Sequence, residues 1–518
     1  MEAYLGVGRA TDLKNTWDRR IYRALEIMPG FLAWGTLLLI VVLSFFIPAW
    51  MAVFVIAFDV YWLTKTIFLT AHMNVTFRTM RKNMKRDWRA ELEGIESAAP
   101  ELKGLAWNDI YHMVILPFAT EPLSIVREGL AGLERSNYPL DKLIVVLARE
   151  ERVKDSERIA QAVAEEFGNK FFKFIITSHP EGLGGETVGK GSNEAWAGHK
   201  AKEELIDPLR IPYERIVVSV FDIDTVVPEQ FFACLTWHYL TALKPLRSSF
   251  QPVPVFTNNI WEAPAFARVF AFSTTFWQMI QQARPEQLVT FSSQSISFRA
   301  VVDAGFWQKN VVSEDSQIFW KCFLRYDGDW RTIPMRYPVF MDANVAPTFW
   351  QTIKNQYKQI RRWHYGVENN PYFLFGFLKN PRIPKKLKLV QSFQMIEKTH
   401  SSATNALIIF LLGWLPITVG GNEFTGTILS YNLPQITTFI MKIAMVGLIT
   451  SATISTILLP PRPPNYGRLK WLWMVFQWLL FPINFVFFGA IPALDAQTRL
   501  MLGKYIGFWV TPKDRKSG

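Results

Sequence analysis

The stretch RIVVSVFDIDTVVPEQFF, residues 215–232, sets two carboxylates, Asp222 and Asp224, directly behind a β-branched apolar run. Ile216 to Phe221 reads as a buried strand, and Pro228 closes the segment. Side chains at i and i+2 share a face of a strand, so both acids are expected to point the same way. Two like charges side by side repel, and burying them without compensation is unfavourable. A divalent cation between them would be one remedy. A solvated strand end is the plain alternative, and spacing alone leaves both open.

The surroundings of this stretch narrow the class of protein. The chain has 518 residues, half of them hydrophobic and 15% aromatic, with 41 Phe and 20 Trp, a composition that points to contact with lipid. Cys234 and Cys322 are its two cysteines. That excludes a disulfide framework or a cysteine zinc site and suits a reducing compartment. The net charge of +12 fits a membrane surface or an anionic substrate. Nucleic acid is not expected, because the basic residues cluster beside apolar segments. About thirty mixed residues precede the first apolar run, so no signal peptide is expected.

Five apolar runs are candidates to span a bilayer: 31–47, 49–69, 404–420, 436–459 and 471–494. Asp59 and Lys442 fall inside two of them and should face other helices or an interface. Basic residues crowd RRIYR (19–23) and RTMRKNMKRDWR (78–89), which places both ends of the first helix pair on the cytosolic side. The loop 421–435 lacks Lys and Arg and belongs outside, whereas PRPPNYGRLK (461–470) belongs inside. Five crossings would leave the C-terminus outside, against its basic composition, and Pro482 offers a break that would make the last run kinked or re-entrant.

Between the two membrane groups the chain has an α/β rhythm. HMVILPF (112–118), LIVVLA (143–148), FFKFII (171–176) and IVVSVF (216–221) are short apolar strands, separated by charged helical stretches such as SERIAQAVAEEFG (156–168). Alternation of this kind predicts a mostly parallel sheet with ligands at the carboxyl ends of its strands, where Asp222 and Asp224 stand. The expected division is a cytosolic segment 1–30, two membrane helices 31–71, a basic linker 72–104, an α/β domain 105–345, amphipathic interface helices 346–400, about three membrane segments 401–495 and a basic tail 496–518.

Three further stretches carry chemistry. VVSEDSQIFWKCF (311–323) puts Glu314 and Asp315 at a helix start, where dipole and free amides favour ionised acids; Asp315 is a candidate base or an ordinary cap. GLGGETVGKGSNEAWA (182–197) is a glycine-rich loop entering a helix, with Lys190 and Asn193 at the junction, able to cradle phosphate or simply to turn. NQYKQIRRWHYGVEN (355–369) belongs to a basic amphipathic helix in which Phe349, Ile353, Tyr357 and Ile360 recur at helical spacing. Such a helix suits a membrane surface and by itself needs no catalytic role.

In order and spacing these pieces resemble the membrane-embedded family-2 glycosyltransferases, the group of cellulose, hyaluronan and chitin synthases. The DxD motif is matched by Asp222-Ile223-Asp224, the TED motif by Ser313-Glu314-Asp315, and QxxRW by Gln359-Ile360-Arg361-Arg362-Trp363. VILPFATEP resembles the opening strand, with Pro117 and Glu121, and Gly189 to Asn193 resembles KAGNLN. FWVTPK (508–513) resembles the C-terminal ends of these synthases. The resemblance implies a Rossmann-like GT-A domain, on the cytosolic side, inserted between transmembrane helices of the inner or plasma membrane. It implies a nucleotide-sugar donor, with a UDP-sugar as the expected one, Mg²⁺ or Mn²⁺ held by Asp224 and Asp222, and Asp315 as the base. Donor contacts would come from Glu121, Glu150, Glu151, Lys190, Asn193, Asp222, Arg361 and Arg362, and acceptor contacts from Glu314, Gln359 and Trp363.

Two departures bear on function. The acid pair that usually follows the second strand reads LAREE, leaving Glu150 or Glu151 as candidates, and the acceptor-side stretch reads FSSQSISFR (291–299) in place of Gly-x-Asn. The first reading is an inverting, processive polysaccharide synthase that moves its product through its own helices. Transfer of one sugar to a lipid acceptor is the second. A membrane scaffold whose α/β domain only binds a nucleotide is the third. Donor sugar, linkage and partner subunits have no signature in the sequence.

Overall fold

The computed structural model describes residues 2–97, 99–464 and 466–512; the basic run that begins at Lys513, the last residue of FWVTPK, lies outside the described residues. The α/β domain is built on seven strands: β1 (Tyr111–Phe118), β2 (Leu143–Glu150), β3 (Lys173–His179), β4 (Ile216–Val220), β5 (Ser248–Val255), β6 (Ser295–Ser297) and β7 (Arg331–Phe340). Their order across the sheet is β3-β2-β1-β4-β6-β5-β7. β1 pairs in parallel with β2 and β4, β2 with β3, and β5 with β7, while β6 runs antiparallel to both its neighbours. The sheet is therefore mixed.

Alternation along β1 explains why it lies in the middle. Val114, Leu116 and Phe118 join one apolar layer with Val126, Leu130 and Phe231, whereas Met113 and Ile115 join the opposite layer with Ile318, Trp320 and Phe373. A strand covered on both faces reads as an unbroken apolar run, as HMVILPF does. From β1 the chain builds outward through β2 and β3 and then returns to lay β4 on β1's other side. The carboxyl ends of β1 and β4 flank the crevice that such a switch creates, the usual place for a ligand in an open α/β sheet.

One expectation needs correction. β4 ends at Val220, so Asp222 and Asp224 are not partners on one strand face. They sit in the turn that follows, where the Thr225 amide donates to the Asp222 carbonyl at 2.8 Å. The turn separates their environments: Asp224 is 1% exposed, whereas the Asp222 side chain is 31% exposed.

Helices Thr16–Phe46 and Pro48–Asn83 precede the domain. Among the described residues four helices are long and apolar enough to cross a membrane: these two, Ile428–Leu458 and Leu469–Met501. Lys385–Phe410 with Leu412–Val419, bent by 46°, makes a fifth if counted as one span. Contacts order these helices. A Cβ on Gly420 would lie 2.7 Å from Pro48, and Phe424 packs with Ala52 and Val55, so the end of the bent pair meets the hairpin tip remote from the sheet. Residues 469–501 behave differently. At one end Lys470 donates to the Trp261 carbonyl at 2.9 Å, and at the other Arg23 donates to Leu500 at 2.9 Å and to Met501. Both ends therefore lie on the domain's side of the bundle.

His112, in β1, is buried, and His238, in helix Phe231–Thr241, is half-buried against the rings of Trp88 and Trp237. Burial holds His112 down to about 3 and His238 down to about 4. The unfolded chain takes up protons below about pH 6.5 while the folded chain does not, so this stability is present above that value and lost as pH falls toward 4. The melting temperature of the purified protein should fall between pH 7 and pH 5, and His112→Gln should make that slope shallower. An unchanged slope would show that these histidines do not set the acid limit.

Candidate active site

A cavity of about 170 Å³ opens at the carboxyl ends of β1, β2 and β4. Glu121, Glu150, Lys190, Asn193, Asp222, Asp224, Glu314, Asp315, Gln359, Arg362 and Trp363 all line it. Two of the residues singled out from sequence do not. Glu151 is exposed in the turn after β2. Arg361 points along the other side of its helix and pairs with Asp495 at 3.1 Å. On a helix, neighbours in sequence are separated by about 100°, so adjacent arginines cannot share one face.

Each wall has a local cause. At the end of β1 the Ala119 amide donates to the Glu121 carboxylate at 2.7 Å, and at the end of β2 Glu150 pairs with Arg152. The glycine-rich loop leads into helix Lys190–Ala201, whose Asn193 amide donates to the Ala148 carbonyl of β2 at 2.9 Å and docks the helix on the sheet. Gly189, just before that helix, has φ +154°, a conformation for which glycine is suited. A Cβ there would lie 2.4 Å from Phe508. Phe508 also lies under Arg362, at 4.4 Å from guanidinium carbon to ring centroid, and Val510 and Thr511 complete that wall. Trp363 stands among Phe256, Phe270 and Phe291, with ring centroids 6.0–6.1 Å away.

Lys190 is the electrostatic centre. Its Nζ lies 2.9 Å from Asp222, 3.0 Å from both oxygens of Asp315, 3.3 Å from Glu194 and 3.8 Å from Glu314. Burial works against the ammonium, but Asp222, Asp315 and the two glutamates outweigh it and hold Lys190 well above its ordinary value. The carboxylates do not share this benefit equally. Burial pushes Glu314 up to about 8 and Glu194 well above the usual carboxylate range, with neighbouring acids adding to the effect. Asp315 is also raised, by burial first, while Lys190 opposes the shift. Lys190 is thus held charged, while Glu314, Glu194 and Asp315 are held less acidic than exposed carboxylates.

Sequence reading passed over three lining or neighbouring groups. Ser292 donates to Asp222 at 2.8 Å. The Asp342 amide donates to Asp224 at 2.9 Å, and the Asp342 side chain lines the cavity. Glu194 stands one helical turn from Lys190, and the spacing Lys190–Glu194 in KGSNEA was the available signal. Asp342 had none without β7, whose end places it.

The donor set can be tested against a hard cation. Asp222, Asp224 and Asp342 offer carboxylate oxygens on one wall, as Mg²⁺ or Mn²⁺ requires. Among the described residues the carboxylates of Glu194, Glu314 and Asp315 form the one trio with ligand atoms all within 4.8 Å. Lys190 already supplies positive charge to that trio.

The cavity thus combines paired acids, a buried lysine and an aromatic wall. Residues 217–491, more than half of the chain, match the family described as glycosyl transferase family group 2, and the chain belongs to that family. Among solved structures it is similar to the mannosyltransferase PcManGT from Pyrobaculum calidifontis, in complex with GDP-Man and Mn²⁺. The identity is 13%, over 76% of this chain and 99% of that one, with a TM-score of 0.39. It is also similar to S. aureus TarS 1-349 in complex with UDP-GlcNAc, at 11% identity over 67% and 91% of the two chains and a TM-score of 0.36. No curated protein matches the sequence.

Gly189→Ala should force Phe508 out of its seat and strain the turn, at a cost of about 1–3 kcal/mol. Fluorine NMR of a labelled phenylalanine at position 508 should report a shifted, broadened resonance in the variant, whereas an unchanged line would contradict the close approach.

Proposed function

We propose that this chain is an inverting transferase that moves a sugar from a nucleotide-sugar donor, expected to be a UDP-sugar, to a hydroxyl acceptor delivered along the membrane. The observation that carries the reading is the single ammonium of Lys190 shared at 2.9–3.0 Å by Asp222 and Asp315, which brings the acids of two separate motifs to one point. A nucleoside diphosphate is the complementary ligand: its negative charge can take up Lys190 and Arg362, and Glu121 and Glu150 remain beside the strand ends for the nucleoside. Mg²⁺ or Mn²⁺, held by Asp224 and Asp222, would neutralise the diphosphate as it leaves.

In this reading the acceptor oxygen attacks the anomeric carbon from the face opposite the diphosphate. The bond from that carbon to the phosphate oxygen breaks, and its electron pair stays on the departing nucleoside diphosphate. Asp315 takes the acceptor proton, and Lys190 and Arg362 lie where negative charge grows. Trp363, with Gln359 and Glu314 beside it, gives the acceptor a flat surface and polar edges. One displacement inverts the anomeric centre.

A growing glycan is the first acceptor considered, and a lipid carrying a single hydroxyl target is the second. The wall of Phe256, Phe270 and Trp363, which continues into helix Ala265–Gln282 against Met73 and Phe77 of the membrane-type helices, is compatible with both. Chain length of the radiolabelled product separates them: polymer supports a processive synthase, a single-sugar lipid the other.

We further infer four crossings, Thr16–Phe46, Pro48–Asn83, the bent pair 385–419 and Ile428–Leu458, with residues 469–501 returning to the side they leave. N-terminus, α/β domain and C-terminus then share the cytosolic side of the inner or plasma membrane, in accord with the basic residues at 78–89.

Asp315→Asn keeps shape and hydrogen-bonding capacity but removes basicity. Transfer should fall roughly 10²–10⁴-fold while donor affinity changes little. Near-normal transfer would make the assignment wrong. Asp224→Asn should weaken donor binding and abolish turnover, and excess EDTA should do the same to the unsubstituted protein; full activity in EDTA would remove the metal from the account.

A further inference from the structure

Asp315 can serve as a base only if the helix that carries it starts in a fixed place. The first turn of a helix has free amides and frays unless something holds it. Ser313 is the N-cap of helix Glu314–Arg325, yet its side chain makes no capping bond to that helix. Its hydroxyl instead donates to Glu368 Oε1 at 2.8 Å. The backbone amides of Val312 and Ser313 donate to the same oxygen, each at 2.8 Å. Three donors thus converge on one carboxylate oxygen of a side chain that is 6% exposed. Burial raises Glu368, and these three bonds oppose that rise.

The origin of Glu368 gives the arrangement its meaning. It ends the turn Tyr365–Glu368, which directly continues the helix Phe349–His364 carrying Gln359, Arg362 and Trp363. The next residue adds a second point: Asn369 Nδ2 donates to Ser316 Oγ at 2.8 Å, one residue beyond Asp315. From the far side Thr290 Oγ1 donates to the Asp315 carbonyl at 2.6 Å. The segment 312–316 is therefore clamped before, at and after Asp315. Glu368 itself is not among the residues lining the cavity.

We propose that Glu368 is a positioning residue that holds the Asp315 turn in register with the helix bearing Trp363, so that the proton acceptor and the acceptor platform keep one fixed separation. This rests on the reading of Asp315 as the base. Loss of the carboxylate leaves the amides of Val312 and Ser313 and the Ser313 hydroxyl without this acceptor and lets the start of the helix shift. A displacement near 1 Å at a reacting group is enough to slow a step about 10²-fold.

The test joins two measurements on the full-length protein in detergent micelles. Hydrogen–deuterium exchange follows the peptide covering residues 310–317, with β1 as an internal reference; transfer is followed as release of UDP from a panel of UDP-sugars. Glu368→Ala should speed exchange in 310–317 without changing β1 and should lower kcat roughly 10²-fold with donor KM nearly unchanged. Glu368→Gln keeps an acceptor oxygen and should recover much of both, and it serves if the alanine variant does not fold. Unchanged exchange in both variants would overturn the clamp, and faster exchange with normal kcat would overturn its role in positioning. The exchange measurement needs no substrate, so it judges the clamp separately from the transfer reaction.

Discussion

Lys190 is the point on which the site depends. One ammonium, buried at the start of a helix, lies within 4 Å of four carboxylates from three different segments. Remove its charge and Asp222, Asp315, Glu194 and Glu314 lose the cation they gather around, and protonation or collapse would have to relieve their crowding. With the charge present, the glycine-rich loop, the turn after β4 and the start of helix Glu314–Arg325 are held to a common centre. The diphosphate of a donor is the natural competitor for that ammonium. The proposed reaction thus uses an attraction that already organises the protein.

The scaffold around this centre has a simple logic. Parallel strands β1, β2 and β4 deliver loops to one edge, and the reversal of strand order between β1 and β4 opens the crevice. The second half of the sheet, β5 to β7, carries the helix Ala265–Gln282 that meets Met73, Phe77 and Trp478. One side of the cavity is therefore polar and faces the strand ends, while the other is aromatic and continues toward the membrane-type helices. In the proposed reaction the donor takes the polar side and the acceptor the aromatic one.

Much of this was legible in the residues, and what was not has identifiable causes. β2 and β4 are apolar runs without proline, and β1 carries Pro117 only next to its last residue, so their pattern was sufficient. β5 and β7 carry Pro252, Pro254, Pro334 and Pro338, which argue against strands in a linear reading, and β5 accommodates its prolines with an irregular register between Gln251 and Val253. β6 is three residues long and has no period to detect. The acids Asp222 and Asp224 were found by motif although the strand-face argument for them failed, because the strand stops two residues before the first. Arg361 and Arg362, like Glu150 and Glu151, are adjacent pairs in which only tertiary packing decides which member faces the cavity. Glu368 carried no signal at all, since a carboxylate that accepts backbone amides from a distant segment leaves no spacing to read.

The proposed reaction is a single displacement at the anomeric carbon, with Asp315 on one side and the diphosphate on the other. Proton NMR of the first-formed product, taken with a donor of defined anomeric configuration, tests this directly. Inversion, an α-linked donor giving a β-linked product, is the predicted result. A product that retains the donor's configuration would require two displacements, and the arrangement of Asp315, Lys190 and Asp222 described above would then not be the mechanism.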